Sequence, residues 1–186
     1  NSMQNLSGAW RRFLLLLLCG GLAACTEIPP GLTAVRGFAV DRYLGTWYEA
    51  ARLDHRFERG LSNVSATYTL QTDGSLRVVN RGYDADRKHW KEAVGRAEFI
   101  GAPDLGSLQV SFFGPFYGGY HVVELDPDYH WAIVAGPSRD YLWLLTRTQH
   151  APTELVDRMI ESAARLGFPT ERLIRVDHRP VDAPAL

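Results

Sequence analysis

Eight short runs rich in β-branched and aromatic residues follow one another in the middle of the chain, with turn-forming residues between them. This pattern is typical of an antiparallel sandwich or barrel, because short strands joined by tight turns pair with their chain neighbours. Asp73-Gly74 is favoured in two-residue hairpins, and Pro127 occupies a natural turn position. The predicted strands are residues 45–53, 63–71, 75–83, 89–100, 106–113, 117–125, 129–136 and 141–147.

A helix and one further strand are predicted after these runs. Pro152 suits the first turn of a helix, and apolar residues recur at helical spacing from Leu155 to Ala163. Gly167 ends this helix, and residues 173–176 form a short ninth strand. The apolar helix face needs a partner, which the outer wall of a closed sheet provides. The sequence therefore predicts an all-β, eight-stranded antiparallel up-and-down barrel with a C-terminal helix.

Composition limits the classes of protein that this chain can belong to. Its 186 residues, 46% hydrophobic and 22% charged, suit one globular domain. The formal net charge of -1 gives no general attraction to nucleic acid, so no nucleic-acid partner is predicted. Both cysteines, Cys19 and Cys25, precede the strands. The barrel is therefore predicted to hold no disulfide, thiolate metal site or cysteine nucleophile.

The first residues have the zones of an export signal. Arg11 and Arg12 precede the apolar residues 13–18, a run too short to span a bilayer. Residues 22–25, Leu-Ala-Ala-Cys, resemble the lipobox of bacterial lipoproteins, which implies acylation of Cys25. The alternative is an ordinary signal peptide that leaves this cysteine unmodified. The predicted division is 1–24 signal peptide, 25–38 lipidated cysteine and tether, 39–180 barrel and 181–186 tail.

Two features of residues 26–38 concern the anchor. Thr26 stands where an aspartate, by the lipoprotein rule in enteric bacteria, argues for inner-membrane retention, so the outer membrane is predicted. Residues 29–31, Pro-Pro-Gly, interrupt any amphipathic period. The segment is therefore predicted to be a tether, extended at roughly 3.3 Å per residue, that holds the domain close to the membrane.

Three motifs resemble those of the lipocalin family. Residues 43–49 are similar to its G-x-W signature, residues 125–129 to its second motif and residues 144–147 to its third. Gly45 allows a tight entry to the first strand, and Trp47 is predicted to plug the narrow end of the barrel. In up-and-down order, all three motifs fall at that end. The resemblance implies that Arg147 lies over the indole ring of Trp47.

The resemblance extends over nearly the whole chain downstream of Cys25. Residues 52–60, 110–119 and 136–144 are similar to the bacterial outer-membrane lipoprotein lipocalins of the Blc type. This resemblance implies a barrel that binds a fatty acid or lysophospholipid, sometimes as a homodimer, in lipid storage, transport or repair in the cell envelope. It implies no cofactor and no metal.

Candidate pocket residues on the first strand follow from alternation. Trp47, Glu49, Ala51 and Leu53 are predicted to share the inner face. Ala51 would leave room for a ligand. Glu49 would be an inward carboxylate, which needs a partner or a proton. It is either a structural hydrogen-bonding group or a selector for polar parts of the ligand.

Other candidates lie near the open mouth. Tyr117 meets a headgroup there or packs against loop aromatics. Phe113, with Phe112 and Phe116, lines the entrance, and Trp143 is the remaining predicted ligand contact. Arg52, Arg56 and Arg59 attract a carboxylate or phosphate, or form a solvated loop face.

The sequence leaves three alternative functions open. A lipocalin-fold enzyme has little support, because the sequence has no G-x-S-x-G elbow and no H-E-x-x-H spacing. Asp84-Ala85-Asp86 lacks the rest of a calcium loop and is predicted to be a turn. His121 or His130 could bind a haem. A purely structural envelope protein would have a barrel filled by its own side chains.

Overall fold

The computed structural model describes residues 25–181. The predicted signal peptide, with Cys19, and residues 182–186 of the predicted tail lie outside the described residues. Nine strands, two α-helices and one 3-10 turn follow one another in this range. In chain order the elements are α1 (Val40–Tyr43), β1 (Gly45–Leu53), β2 (Leu61–Leu70), β3 (Leu76–Asp84), β4 (His89–Phe99), β5 (Ser107–Phe113), β6 (Phe116–Leu125), β7 (Trp131–Ala135), β8 (Leu142–Thr146), α2 (Thr153–Arg165), the 3-10 turn (Thr170–Arg172) and β9 (Leu173–Arg175).

The sheet closes on itself through β1. Strands β2 to β8 pair in sequence order, β8 pairs with β1, and β1 pairs with β2. The pairing of β1 with β2 covers only the lower part of the strand, from Gly45 opposite Tyr68 to Tyr48 opposite Ser65. Higher up, β9 pairs with β1 instead, with Arg175 opposite Ala51. The predicted eight-stranded antiparallel barrel with a C-terminal helix and a ninth strand is confirmed.

Up-and-down pairing gives the barrel two different ends. The closed end holds α1, the start of β1 and the turns at residues 71–75, 100–106 and 126–130. The open end, called the mouth below, holds the connections at residues 54–60, 85–88, 114–115 and 136–141. The three family motifs lie at the closed end, as predicted from topology.

A β-bulge in β1 redirects its upper half. The register against β8 shifts between Glu49 and Ala51, and beyond that point the strand exchanges its faces. Ala51 and Leu53 consequently pack into the outer apolar cluster with α2, whereas Arg52 is buried opposite the inward Trp143. The prediction that Ala51 and Leu53 face the lumen is wrong, because an extra residue inverts strict alternation.

Helix α2 covers the outer wall with its apolar stripe. Val156, Met159 and Ala163 are buried on this face, and Met159 and Ala163 belong to one cluster with outward side chains of β7 and β8. The helix ends before Gly167, whose φ of 84° suits the left-handed position of a C-cap. In the described range, no helix combines the length and the apolar character that crossing a bilayer requires.

The segment before α1, which was predicted to be an extended tether, is bound to the barrel. The amide of Val35 donates to Val122 of β6, and the amide of Gly106 donates to Val35. Leu32 and Phe38 are buried, the first in the outer cluster and the second in the inner core. Isolated apolar residues without a period gave no sign of this packing, because the segment follows the curved barrel surface rather than one regular element.

Candidate functional site

The closed end is sealed by an indole under a guanidinium. Trp47 is fully buried, and its Nε1 donates to the carbonyl oxygen of Tyr43 at 2.8 Å. The guanidinium carbon of Arg147 lies 3.9 Å from the centre of the Trp47 ring, which confirms the predicted cation–π contact. These residues close the lower end of the barrel.

Arg147, directly after β8, also links the end of that strand to the backbone around the start of β1. Its guanidinium donates to the carbonyl oxygens of Arg42, Leu44 and Thr46, at 2.7, 2.9 and 3.1 Å. Gly45 has a φ of 90°, and a Cβ atom there would lie 3.5 Å from Nη1 of Arg147. The backbone before β1 therefore passes directly beneath the guanidinium, in a conformation that favours glycine.

Three tyrosine hydroxyl groups meet above this plug. The hydroxyl oxygens of Tyr43 and Tyr120 lie 2.6 Å apart, and Tyr68 donates to Tyr120 at 2.9 Å. Burial is the main cause that raises the pKa of all three phenols. They therefore form a neutral polar layer in an otherwise apolar barrel core.

Above this layer the lumen is open. Gly118 lies opposite Val110, which faces the inner core, and a Cβ atom on Gly118 would have no heavy atom within 4 Å. The inward side chains of Ala66, Val110 and Phe112 are only partly buried, although they face the inside of a barrel. Space therefore remains beside Gly118 on the inner face of the barrel wall.

A charged cluster lies beside this space, below the loop that joins β1 to β2. Arg52 is almost fully buried, and its Nη1 lies 3.2 Å from Oε2 of Glu49. Its Nη2 donates to the carbonyl oxygens of Glu58 and Leu61 at 2.9 and 3.2 Å. Oε2 of Glu58 accepts from Nε1 of Trp143 at 3.0 Å. The carboxyl group of Glu58 therefore extends from the loop into the barrel wall.

Glu49 has the most strongly perturbed carboxyl group of this cluster. Burial raises its pKa well above 4.5, the neighbouring Glu58 raises it further, and Arg52 opposes the rise. The contact with Arg52 favours the structural one of the two roles that the sequence left open for Glu49.

The raised pKa predicts a pH-dependent effect of Glu49→Gln. A carboxyl group with a higher pKa in the folded state stabilises below its unfolded pKa, and this contribution is lost as the pH rises above 4.5. We expect the variant to gain stability relative to wild type across that range, by about 1.4 kcal/mol for each pKa unit of the rise. Urea denaturation at a series of pH values measures this difference. A difference that stays constant with pH would contradict the prediction.

The other predicted pocket residues are distributed over three places. Trp143 faces the inside, beside the charged cluster. Phe113 is 81% exposed at the rim. Tyr117 lies on the outer side of β6, because strand alternation opposes it to the inward Gly118 and Tyr120. Glu49 and Trp143 are thus brought together, whereas Ala51, Tyr117 and Phe113 are not.

The three loop arginines have different environments. Arg52 is buried and pairs with Glu49, and Arg59 pairs with Asp54 at 2.6 Å. Arg56 is exposed. Nothing in the sequence indicated that Arg52 and Glu58 are buried, since both occur in a charged stretch that resembles a solvated loop.

Neither candidate haem ligand faces the lumen. His121 is buried on the outer wall, where its Nδ1 lies 2.7 Å from Oγ of Ser107, and burial lowers its pKa. His130 is exposed at the closed end and belongs to a close group with Asp126 and Asp128. Oδ2 of Asp126 already accepts from the amide of His130 at 3.0 Å, so this group is explained as a stabilised turn.

Comparisons with known proteins agree with this geometry. The family model described as "Lipocalin-like domain" matches residues 38–178. The Outer membrane lipoprotein Blc of Escherichia coli K12 is 53% identical over 156 residues, covering 83% of this chain and 88% of the relative. The Vibrio cholerae protein of the same name is 48% identical over 170 residues, covering 90% and 99%.

A solved structure supports the fold independently. The cockroach allergen Per a 4 superimposes with a TM-score of 0.64 at 18% identity, covering 84% of this chain and 96% of the allergen. At this identity the match concerns architecture alone. Since a family model spans the whole barrel and relatives are about half identical over most of it, the chain belongs to the lipocalin family.

Proposed function

We propose that this protein is a lipid-anchored outer-membrane lipocalin that binds a fatty acid or lysophospholipid and stores or transports it in the cell envelope. The observation that carries the proposal is the lumen, which is closed by Trp47 below and open beside Gly118 above. Small closed barrels with unfilled interiors take one small ligand. The names of the relatives from E. coli and V. cholerae support the envelope location.

The anchor is proposed on Cys25. This cysteine is exposed and free among the described residues, and it follows the lipobox-like residues 22–24. Several acyl chains on one residue exceed the two signals that stable membrane attachment requires. The barrel would then remain at the membrane for the life of the protein.

Carriage of a lipid agrees with the energetics of an apolar lumen. About sixteen buried methylene groups, at roughly 0.8 kcal/mol each, give a gross gain on the order of 13 kcal/mol. Association costs of about 4 to 15 kcal/mol offset much of this gain. We therefore propose reversible binding, with a Kd in the micromolar range that decreases as the acyl chain lengthens.

A binding role is proposed over a catalytic one. The carboxyl groups nearest the lumen, those of Glu49 and Glu58, are engaged by Arg52 and Trp143, respectively. Groups held in this way stabilise the wall, whereas a general acid or base needs a free position facing a substrate.

Filling the lumen tests the proposal. Gly118→Phe places a ring where the structure leaves space, so we expect the barrel to fold and the Kd for palmitate to rise about tenfold or more. Titration calorimetry on the mature chain with Cys25→Ser measures the Kd, and circular dichroism confirms the fold. Val94→Phe is the matched control, because Val94 is 49% exposed on the outer wall. Equal affinities in both variants would contradict a lumenal site.

A further inference from the structure

The mouth of the barrel carries an apolar rim. Phe57 is 64% exposed, Phe113 is 81% exposed and Phe116 is 73% exposed. They are the only exposed phenylalanines in residues 25–181, and all three belong to the mouth. We call them the rim phenylalanines. Large apolar side chains grouped at one end of a molecule indicate an interaction surface.

The same rim has an excess of positive charge. Asp54 is paired with Arg59 and Asp84 with Lys91, so these charges are compensated. Three exposed cations at the mouth have no ion pair in the described part of the chain, and a single exposed acidic residue without an ion pair, Asp86, accompanies them. These cations are Arg56, Arg87 and Lys88.

Cys25, the predicted anchor residue, lies against the upper half of the barrel, the half that carries the mouth. The carbonyl oxygen of Cys25 accepts from the amide of Gly119 at 2.8 Å. Gly119 is three residues from Phe116 at the rim, which corresponds to about 10 Å along a strand. A lipid on Cys25 therefore starts beside the mouth and not at the closed end.

We propose that the mouth docks on a phospholipid bilayer with anionic headgroups, with the rim phenylalanines in the interface, so that the ligand passes directly between leaflet and lumen. Aromatic rings flanked by cations are the combination that favours the headgroup region of such a bilayer. The proposal rests on the proposed function, because it assumes an acylated Cys25 and a lipid ligand.

A second copy of the chain is the competing occupant of the rim. Two identical mouths would bring the unpaired cations Arg56, Arg87 and Lys88 together, which is unfavourable. An anionic bilayer neutralises the same charges, and the position of Cys25 already brings it close. The charge and the anchor position therefore favour the membrane.

Tryptophan reporters test the orientation. The lipidated full chain is placed in vesicles of phosphatidylethanolamine and phosphatidylglycerol whose acyl chains carry bromine, a quencher of tryptophan fluorescence. Phe113→Trp is compared with Leu70→Trp, which is 42% exposed next to the turn of the closed end. After subtraction of the wild-type signal, we expect at least about twofold stronger quenching at position 113. Equal quenching, or stronger quenching at position 70, would overturn the docking.

A transfer assay separates docking from ligand binding. We expect the double variant Phe57→Ser, Lys88→Ser to take up a fluorescent fatty acid from these vesicles about tenfold more slowly, with an unchanged Kd for the free fatty acid. Unchanged uptake overturns the docking and leaves the proposed carrier intact. If the wild-type protein is not acylated, or does not bind the fatty acid, the proposed function itself is overturned. If quenching at position 113 is absent and the chain is a dimer that the double variant dissociates, the rim contacts a second copy of the chain instead of the bilayer.

Discussion

Arg52→Met is expected to lower the free energy of unfolding by about 3 to 5 kcal/mol at neutral pH. The substitution removes the cation beside the buried carboxyl group of Glu49, and it also leaves the carbonyl oxygens of Glu58 and Leu61 without their donor. A methionine fills most of the volume, so the loss reports the charge and the hydrogen bonds and not a cavity. Guanidinium denaturation followed by circular dichroism measures it.

Arg59→Met is the matched control for this prediction. Arg59 pairs with Asp54 in the same loop, but its side chain is 64% exposed, so we expect a change below about 1 kcal/mol. Combining Arg52→Met with Glu49→Gln should recover part of the loss, because one of the two buried carboxyl groups then needs no partner. A cost of Arg52→Met no larger than that of Arg59→Met would contradict the role assigned to the buried cluster.

Trp47→Ala is expected to cost about 3 to 5 kcal/mol of stability. The indole is fully buried, it donates to the carbonyl oxygen of Tyr43, and Arg147 lies against its face. Its removal leaves a cavity at the closed end and an unsatisfied carbonyl in the turn before β1. Thermal and urea denaturation, followed by far-UV circular dichroism, measure the effect.

Trp90→Ala provides the comparison, since Trp90 also lies beneath a guanidinium. Arg81 is 4.2 Å from the centre of the Trp90 ring, but this indole is only partly buried. We expect a clearly smaller loss of stability than for Trp47→Ala. The indole of Trp90 buries less apolar surface in the folded protein, and it does not close the end of the barrel. Equal losses in the two variants would show that the closed end does not depend on its indole.

The barrel could be predicted from the sequence because its pattern is local. Alternating apolar residues, turn dipeptides and the helix signals around Pro152 and Gly167 each depend on a few neighbouring residues. The plug could be predicted for a different reason. Topology alone brings the three family motifs to one end, and the resemblance to the lipocalin family implied the contact between Trp47 and Arg147 within them.

The wall of the lumen could not be predicted in the same way. A bulge after Glu49 exchanges the faces of β1, so Ala51 moves outward and Arg52 becomes buried. Bulges depend on the pairing of distant strands, which strand alternation does not contain. Glu58 illustrates the same limit, because its burial depends on how the first loop folds over Trp143.

The contact between Cys25 and Gly119 has a consequence for where the protein can work. A free linker of thirteen residues would let the domain move roughly 40 Å from its anchor. Here the linker is bound along the barrel wall, so an acylated domain would stay next to the membrane. Such a protein cannot ferry cargo across the periplasm, and any lipid that arrives from the opposite membrane must be delivered by another carrier.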